Sequence, residues 1–173
     1  MKAGWIIVAG VAGVAAALLA AEPASANGVR KSVSVRTTTT RIDAVATPQI
    51  VRLAHRGSRR HQAYLGFMYE HGRGVPQDYK LAAQWYHLAA QAGDARGQHW
   101  LGMLYDKGFG VPESYIQAHK WLNLAAAGAS DADRDYFIRM RNAIATKLNR
   151  PATIEAQRRA RRWSDFHARW VEN

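Results

Sequence analysis

Between residues 61 and 94 the apolar positions fall at helical spacing, break at a cluster of glycines and a proline, and then resume. Tyr64, Leu65, Met68 and Tyr69 recur at intervals of one, three and four, which puts them on one face of a helix. Gly66 lies on the same face, where a missing side chain lets a neighbouring helix come close. Gly72 can end this helix in the left-handed conformation. Gly74-Val75-Pro76 predicts a short fixed turn, because Pro76 cannot extend the helix and holds Val75 extended. Asp78 is then placed to cap a second helix with Leu81, Ala82, Trp85, Leu88 and Ala89 on one side. Gly93-Asp94 repeats the stop-and-cap device.

The whole pattern returns 36 residues later. Leu65-Gly66-Phe67-Met68-Tyr69 is echoed by Leu101-Gly102-Met103-Leu104-Tyr105, and Gly72 to Pro76 by Gly108 to Pro112. Tyr79, Ala82, Trp85 and Leu88-Ala89-Ala90 reappear as Tyr115, Ala118, Trp121 and Leu124-Ala125-Ala126, with Ser114 as the second cap. Thirteen of the 36 positions in 65–100 match their partners in 101–136, several times the identity expected by chance. A fixed period of this size predicts stacked supersecondary units that share a continuous core.

Weaker units flank these two. Gln49 to Gly57 aligns with Trp85 to Gly93 at the same period, which makes 48–60 an incomplete opening repeat. A third unit starts at Asp131 without the turn motif, with Phe137 in the place of Leu65 and Leu101. After Leu148-Asn149-Arg150-Pro151 a last helix carries Ile154, Ala156, Ala160, Trp163, Phe166 and Trp170 as an apolar stripe. Arg158, Arg159, Arg161, Arg162 and Arg169 cover its other side, and a polar outer face is what a terminal unit needs to close the core. The fold class expected is all-α: about six helices in a right-handed superhelical solenoid of helix-turn-helix repeats, with closing helices over 137–173.

The first 26 residues differ in kind. Lys2 precedes an uncharged apolar run from Ala3 to Ala21, and Ala24-Ser25-Ala26 has the small-residue form of a signal-peptidase site. A secretory signal peptide cleaved between Ala26 and Asn27 is predicted, which places the remainder in the periplasm or outside the cell. The alternative is an uncleaved leader anchoring the chain to the inner membrane, since the run approaches the ~20 residues that span a bilayer. Residues 27–47, with Thr37 to Thr40 in a row and few large apolar side chains, suggest a flexible basic tether.

The net charge of +11 is unevenly distributed. Segment 27–60 carries eight Lys/Arg against one acid and segment 139–173 nine against three, whereas 61–138 holds six against eight. The basic character belongs to the flanks. For an exported chain this favours acidic envelope components over nucleic acid as partners. With no cysteine, a lipoprotein anchor, disulfides, a thiol nucleophile and a thiolate metal site are all excluded.

Other chemistry finds little support. Seven histidines are scattered and none forms the His-Glu-x-x-His pattern, so no metal is expected. Gly72-x-Gly74 follows no strand and precedes no phosphate-binding Lys, which makes these turn glycines. No Gly-x-Ser-x-Gly elbow occurs, and Ser58, Ser114, Ser130 and Ser164 fit helix starts or exposed faces. The tryptophans at helical spacing are expected to be core. No catalytic residue and no cofactor is assigned.

Leu-Gly-x-Met-Tyr-x-x-Gly-x-Gly-Val-Pro-Gln-Asp-Tyr, then Ala-x-x-Trp-Tyr-x-x-Ala-Ala and Gly-Asp-Ala, resembles the Sel-one-like repeat, a relative of the tetratricopeptide repeat. The likeness is close over 61–136, and Arg139 to Trp163 is similar to the closing helices of exported bacterial members. It implies a non-enzymatic adaptor whose first helices line a concave groove for a protein partner. Carried over position by position, the groove comprises Arg60, Ala63, Phe67, Glu70 and His71, then Arg96, His99, Met103, Asp106 and Lys107, then Arg139. One branch of the family pins its helix pairs with disulfides, and some of those members bind or cleave penicillin-type compounds. Without cysteine that activity is not carried over, although a cell-wall hydrolase or penicillin-interacting enzyme stands as one alternative. A peptidoglycan or anionic polysaccharide binder is another. The arginine face of the last helix, with Trp170 beside it, suggests a dock on an anionic envelope surface.

Overall fold

The structure, a computed structural model, describes residues 48–171, with side chains to 169. The leader, the tether and the Trp170 side chain lie outside the described residues. Among the described residues there are seven helices, one more than expected, and no strand. They are α1 (48–55), α2 (Arg59–His71), α3 (Tyr79–Gln91), α4 (Ala95–Lys107), α5 (Tyr115–Gly128), α6 (Asp131–Ala145) and α7 (Arg150–Val171).

Local signals set the helix ends. Gly72 and Gly108 take φ of 66° and 68°, and their N–H groups bond back to the carbonyls of Met68 and Leu104. The turns that follow close with equivalent bonds, from the Asp78 N–H to the Tyr69 carbonyl and from the Ser114 N–H to the Tyr105 carbonyl, both 2.9 Å. Asp78 accepts from the N–H groups of Lys80 and Leu81, Asp94 from Gly97, and Ser114 from Gln117, so three of the five inner helices, α3, α4 and α5, are capped by side chains at their starts. Ser58 and Ser130 occupy cap positions without capping. The Ser58 hydroxyl pairs with His61 Nδ1 at 2.7 Å and that of Ser130 with Asp133.

Packing repeats as the residues do. Leu65 and Leu101, Ala82 and Ala118, Trp85 and Trp121, and Ala89 and Ala125 are all buried. A Cβ on Gly66 would lie 2.5 Å from the Tyr86 ring, and one on Gly102 would lie 2.9 Å from Leu122, so these glycines set how closely α2 meets α3 and α4 meets α5. The Gln62 side chain donates to the Ala54 carbonyl at 3.2 Å, and Gln98 makes the same bond to Ala90 at 3.2 Å. α1 therefore stands to α2 as α3 stands to α4.

At the far end α5 packs against both α6 and α7. Ala156 and Ala160 are buried, and Trp163 sits edge-on to Trp121 with its indole N–H donating to Gln91 Oε1 at 3.0 Å. The apolar stripe expected on this helix is only partly used, since Ile154 and Phe166 are 55% and 58% exposed. Ala156 and Ala160 form the buried strip of α7. Residues displaced around the helix from that strip remain outside it.

Candidate functional site

The first helices α2, α4 and α6 form one layer, joined by side chains. Phe67 of α2 meets Trp100 of α4 at 5.7 Å between ring centroids, and His99 of α4 stacks on Phe137 of α6 at 4.6 Å. A cavity of about 520 Å³ opens where α1 and the start of α2 face the start of α4. It is lined by Ile50, Arg60, His61, Ala63, Tyr64, Asp94, Arg96 and Trp100. Arg60 and Arg96 are 36 residues apart, as are Tyr64 and Trp100, and each aromatic follows its arginine by four residues. One turn of helix thus puts the ring and its arginine on the same helix face in both units. The third unit keeps the ring, as Tyr136, but has Ala132 in place of the arginine.

The residues expected on the groove wall divide into three sets. Arg60, His71, Lys107 and Arg139 are exposed, and Arg96 is exposed but lies 3.7 Å from Asp133 across the gap to α6. Phe67 is half-buried in an aromatic row, 6.1 Å from Tyr64 and 4.2 Å from His71, with the Arg73 guanidinium 5.0 Å above it. Glu70 is also half-buried, and its carboxylate accepts the Tyr86 hydroxyl at 2.5 Å. That phenol is held well above its ordinary pKa, first by burial and then by its bond to Glu70, so it stays a donor.

The third set is packed inward, and of it only Ala63 lines the cavity. His99 is 6% exposed and Asp106 5% exposed, while Ala63 is buried at the cavity floor. Met103 packs toward Ala118, Leu122 and Ile144. α6 and the segment after it cause this. Phe137 and Tyr136 cover His99, and Lys147 reaches back to pair with Asp106, with Lys107 3.4 Å from the same carboxylate. Burial lowers the His99 pKa to about 4, only partly opposed by Asp133, so the ring is neutral at pH 7 and its Nδ1 has no partner.

Tyr64, Trp100, Ile50 and His61 line the cavity, a place that the sequence does not indicate for them: it puts Tyr64 on the apolar helix face. Trp100, expected in the core, is half-buried at the cavity, and its indole N–H has no acceptor among the described residues. The periodic aromatic at Tyr64, Trp100 and Tyr136 was the available signal.

On α7, Arg158 and Arg159 are tied to Glu155, Arg159 at 2.7 Å. Arg159 and then Arg158 hold the Glu155 carboxyl down to about 2. Arg161 and Arg162 are exposed and have no ion-pair partner among the described residues, and Arg169 bonds the Asp165 carbonyl. Among the described residues no three His, Asp or Glu side chains gather to hold a metal ion, and no helix is long and apolar enough to cross a membrane.

Comparison with known proteins accords with this geometry. The family model described as Sel1 repeat matches residues 62–94 and 95–130. The fold is similar to that of c5321, a protective antigen of uropathogenic Escherichia coli strains displaying an SLR fold, with a TM-score of 0.64 and 25% identity over 76% of this chain. This chain spans only 30% of that protein's chain. It is also similar to a Sel1 repeat protein from Oxalobacter formigenes, with 37% identity and a TM-score of 0.50, covering 54% of this chain and 71% of that one. The comparison with curated proteins gives no match. A repeat of 36 residues, its paired helices and its likeness to both solved structures agree: the chain belongs to the Sel1 repeat family.

Proposed function

We propose that this chain is a non-enzymatic adaptor of the bacterial cell envelope that binds a segment of a partner protein along its layer of first helices. Sel1 repeat proteins are generally protein–protein interaction scaffolds. The observation that carries the reading here is the cavity between α1, α2 and α4, an open concave site with aromatic walls and several unspent donors. Concave surfaces with aromatic walls and a few placed polar groups are a recurring way of holding a peptide segment. The envelope location rests on the leader signals Lys2, Ala3 to Ala21 and Ala24-Ser25-Ala26. A hydrolytic role is disfavoured by Glu70, the acid such a role would draw on, because its carboxylate is engaged by Tyr86.

A photoreactive side chain in place of Phe67, activated in living cells, tests this. A discrete crosslinked protein whose yield falls when Arg60 and Arg96 are replaced by glutamine supports the groove assignment. Crosslinks to glycan strands alone, or none above those from a photoreactive residue at exposed Gln157, overturn it.

A further inference from the structure

The cavity at the start of the groove discriminates by charge, and this follows from its donors and acceptors. Arg60 is exposed and has no ion-pair or hydrogen-bond partner among the described residues. Arg96 has one acid, Asp133, at 3.7 Å, but both side chains are substantially open to solvent, so the pair is loose and worth little. His61 uses Nδ1 on Ser58 and keeps Nε2. Beside the two guanidinium groups, the Trp100 N–H and the Tyr64 hydroxyl, on a side chain 41% exposed, add two donors. Against these stands one lining carboxylate, Asp94, which already accepts the Gly97 N–H at 2.8 Å. Ile50, Ala63 and the Tyr64 ring supply the apolar part. Donors outnumber acceptors, and apolar surface lies between them.

We infer that this cavity takes a partner peptide carrying an aspartate or glutamate next to an apolar side chain, the carboxylate held between Arg60 and Arg96 and the apolar group against Tyr64 and Ile50. This rests on the groove reading above and adds the chemistry of the occupant. Carboxylates suit guanidinium groups because the planar fork offers paired donors. Further along the layer Arg73 lies over Phe67 and Arg139 is exposed, but Glu70, Asp131 and Asp133 stand on the helices of the same layer, so the attraction for an acidic segment is concentrated at the cavity. The chain's own residues 27–47 are the wrong occupant by charge, with Arg30, Lys31, Arg36 and Arg41 against Asp43 alone. α1 is part of the device. Ile50 belongs to the incomplete opening repeat, which therefore forms one side of the cavity as well as covering the core.

Fluorescence anisotropy on the full chain, with a labelled peptide of alternating Glu and Leu, tests the inference beside three controls. These are the same peptide with Gln for Glu, a Glu/Ser peptide, and a labelled polyuronate fragment. Binding of the Glu/Leu peptide about tenfold or more tighter than either peptide control is expected, the scale of one charge-assisted hydrogen bond. R60Q with R96Q should remove about tenfold of that affinity with unchanged circular dichroism, since both side chains are exposed, whereas R161Q with R162Q on α7 should leave it within about twofold. Equal binding of the Gln peptide, equal loss in the α7 pair, or tighter binding of the polyuronate each overturns the acidic-peptide assignment. The cellular crosslink from position 67 separates the two levels. If a protein is captured there while the Glu/Leu preference is absent, only the charge rule falls.

Discussion

His99 lies nearly flat against Phe137, with ring centroids 4.6 Å apart and planes 17° from parallel. The contact converts a position that faces the groove in a repeating array into part of the core. It is also the point at which the third, degenerate unit grips the second. Tyr136 meets the same ring edge-on at 5.3 Å, so α6 holds His99 from two sides.

Acid should loosen this grip. His99 titrates near 4 in the fold because burial disfavours its charged form, against an ordinary value of 6.5. The unfolded chain therefore takes up the proton first. Stability from this group is fully present above about pH 6.5 and is lost as pH falls toward 4, by at most about 3 kcal/mol. Asp133 opposes the effect, while His87 and His119 are lowered in the same sense, mainly by burial. Thermal melts at pH 7, 5.5 and 4.5 should show His99→Phe losing distinctly less stability with acid than the parent. Parallel losses in the two would remove His99 as the cause.

Tyr86→Phe should cost about 1–2 kcal/mol, because it deletes the donor to Glu70 and leaves the ring packed 5.3 Å from Trp100. Urea unfolding should give a lower midpoint with the same slope. A changed slope would mean that the residual packing had altered as well.

Two glycine substitutions should go in opposite directions. Gly66→Ala puts a methyl 2.5 Å from the buried Tyr86 ring and should cost about 1–3 kcal/mol by forcing α2 from α3. Gly128→Ala meets nothing nearer than Ala95 at 3.9 Å, at the last residue of α5, and should stabilise by about 0.4–1 kcal/mol. Calorimetric midpoints of the pair decide it, and equal shifts would discount the close-approach role of Gly66.

Trp163→Ala removes the indole bond to Gln91, the edge contact with Trp121 and the stack on His167 at 4.6 Å. A loss of about 2–3 kcal/mol is expected, since the side chain is only half-buried. Trypsin should then cut faster at Arg158 to Arg162, while fragments ending before α7 persist. Cleavage first within α2 or α4 would show instead that α7 and the repeats unfold together.

What could be read from the chain alone was whatever acts over a few residues or recurs at the period. Gly72, Asp78, Asp94 and Ser114 end and cap helices through bonds to neighbours within one turn, and the core set Leu65, Trp85 and Ala89 recurs with its partners at 36. Family resemblance then pointed to the layer of first helices as the wall. It could not tell which wall residues stay open, because each unit's wall is finished by the next, and the third unit departs from the motif. Phe137 and Lys147, the latter 41 residues from Asp106, cover His99 and Asp106 where another intact unit would have left a continued groove. The serines show the same division at short range. Ser58 and Ser130 had the right address for caps, but His61 and Asp133 compete for their hydroxyls. Repetition and local hydrogen bonding thus determined the solenoid in advance. The cavity between Arg60, Tyr64, Arg96 and Trp100 required three helices from different units to meet, and only the folded chain brings them together.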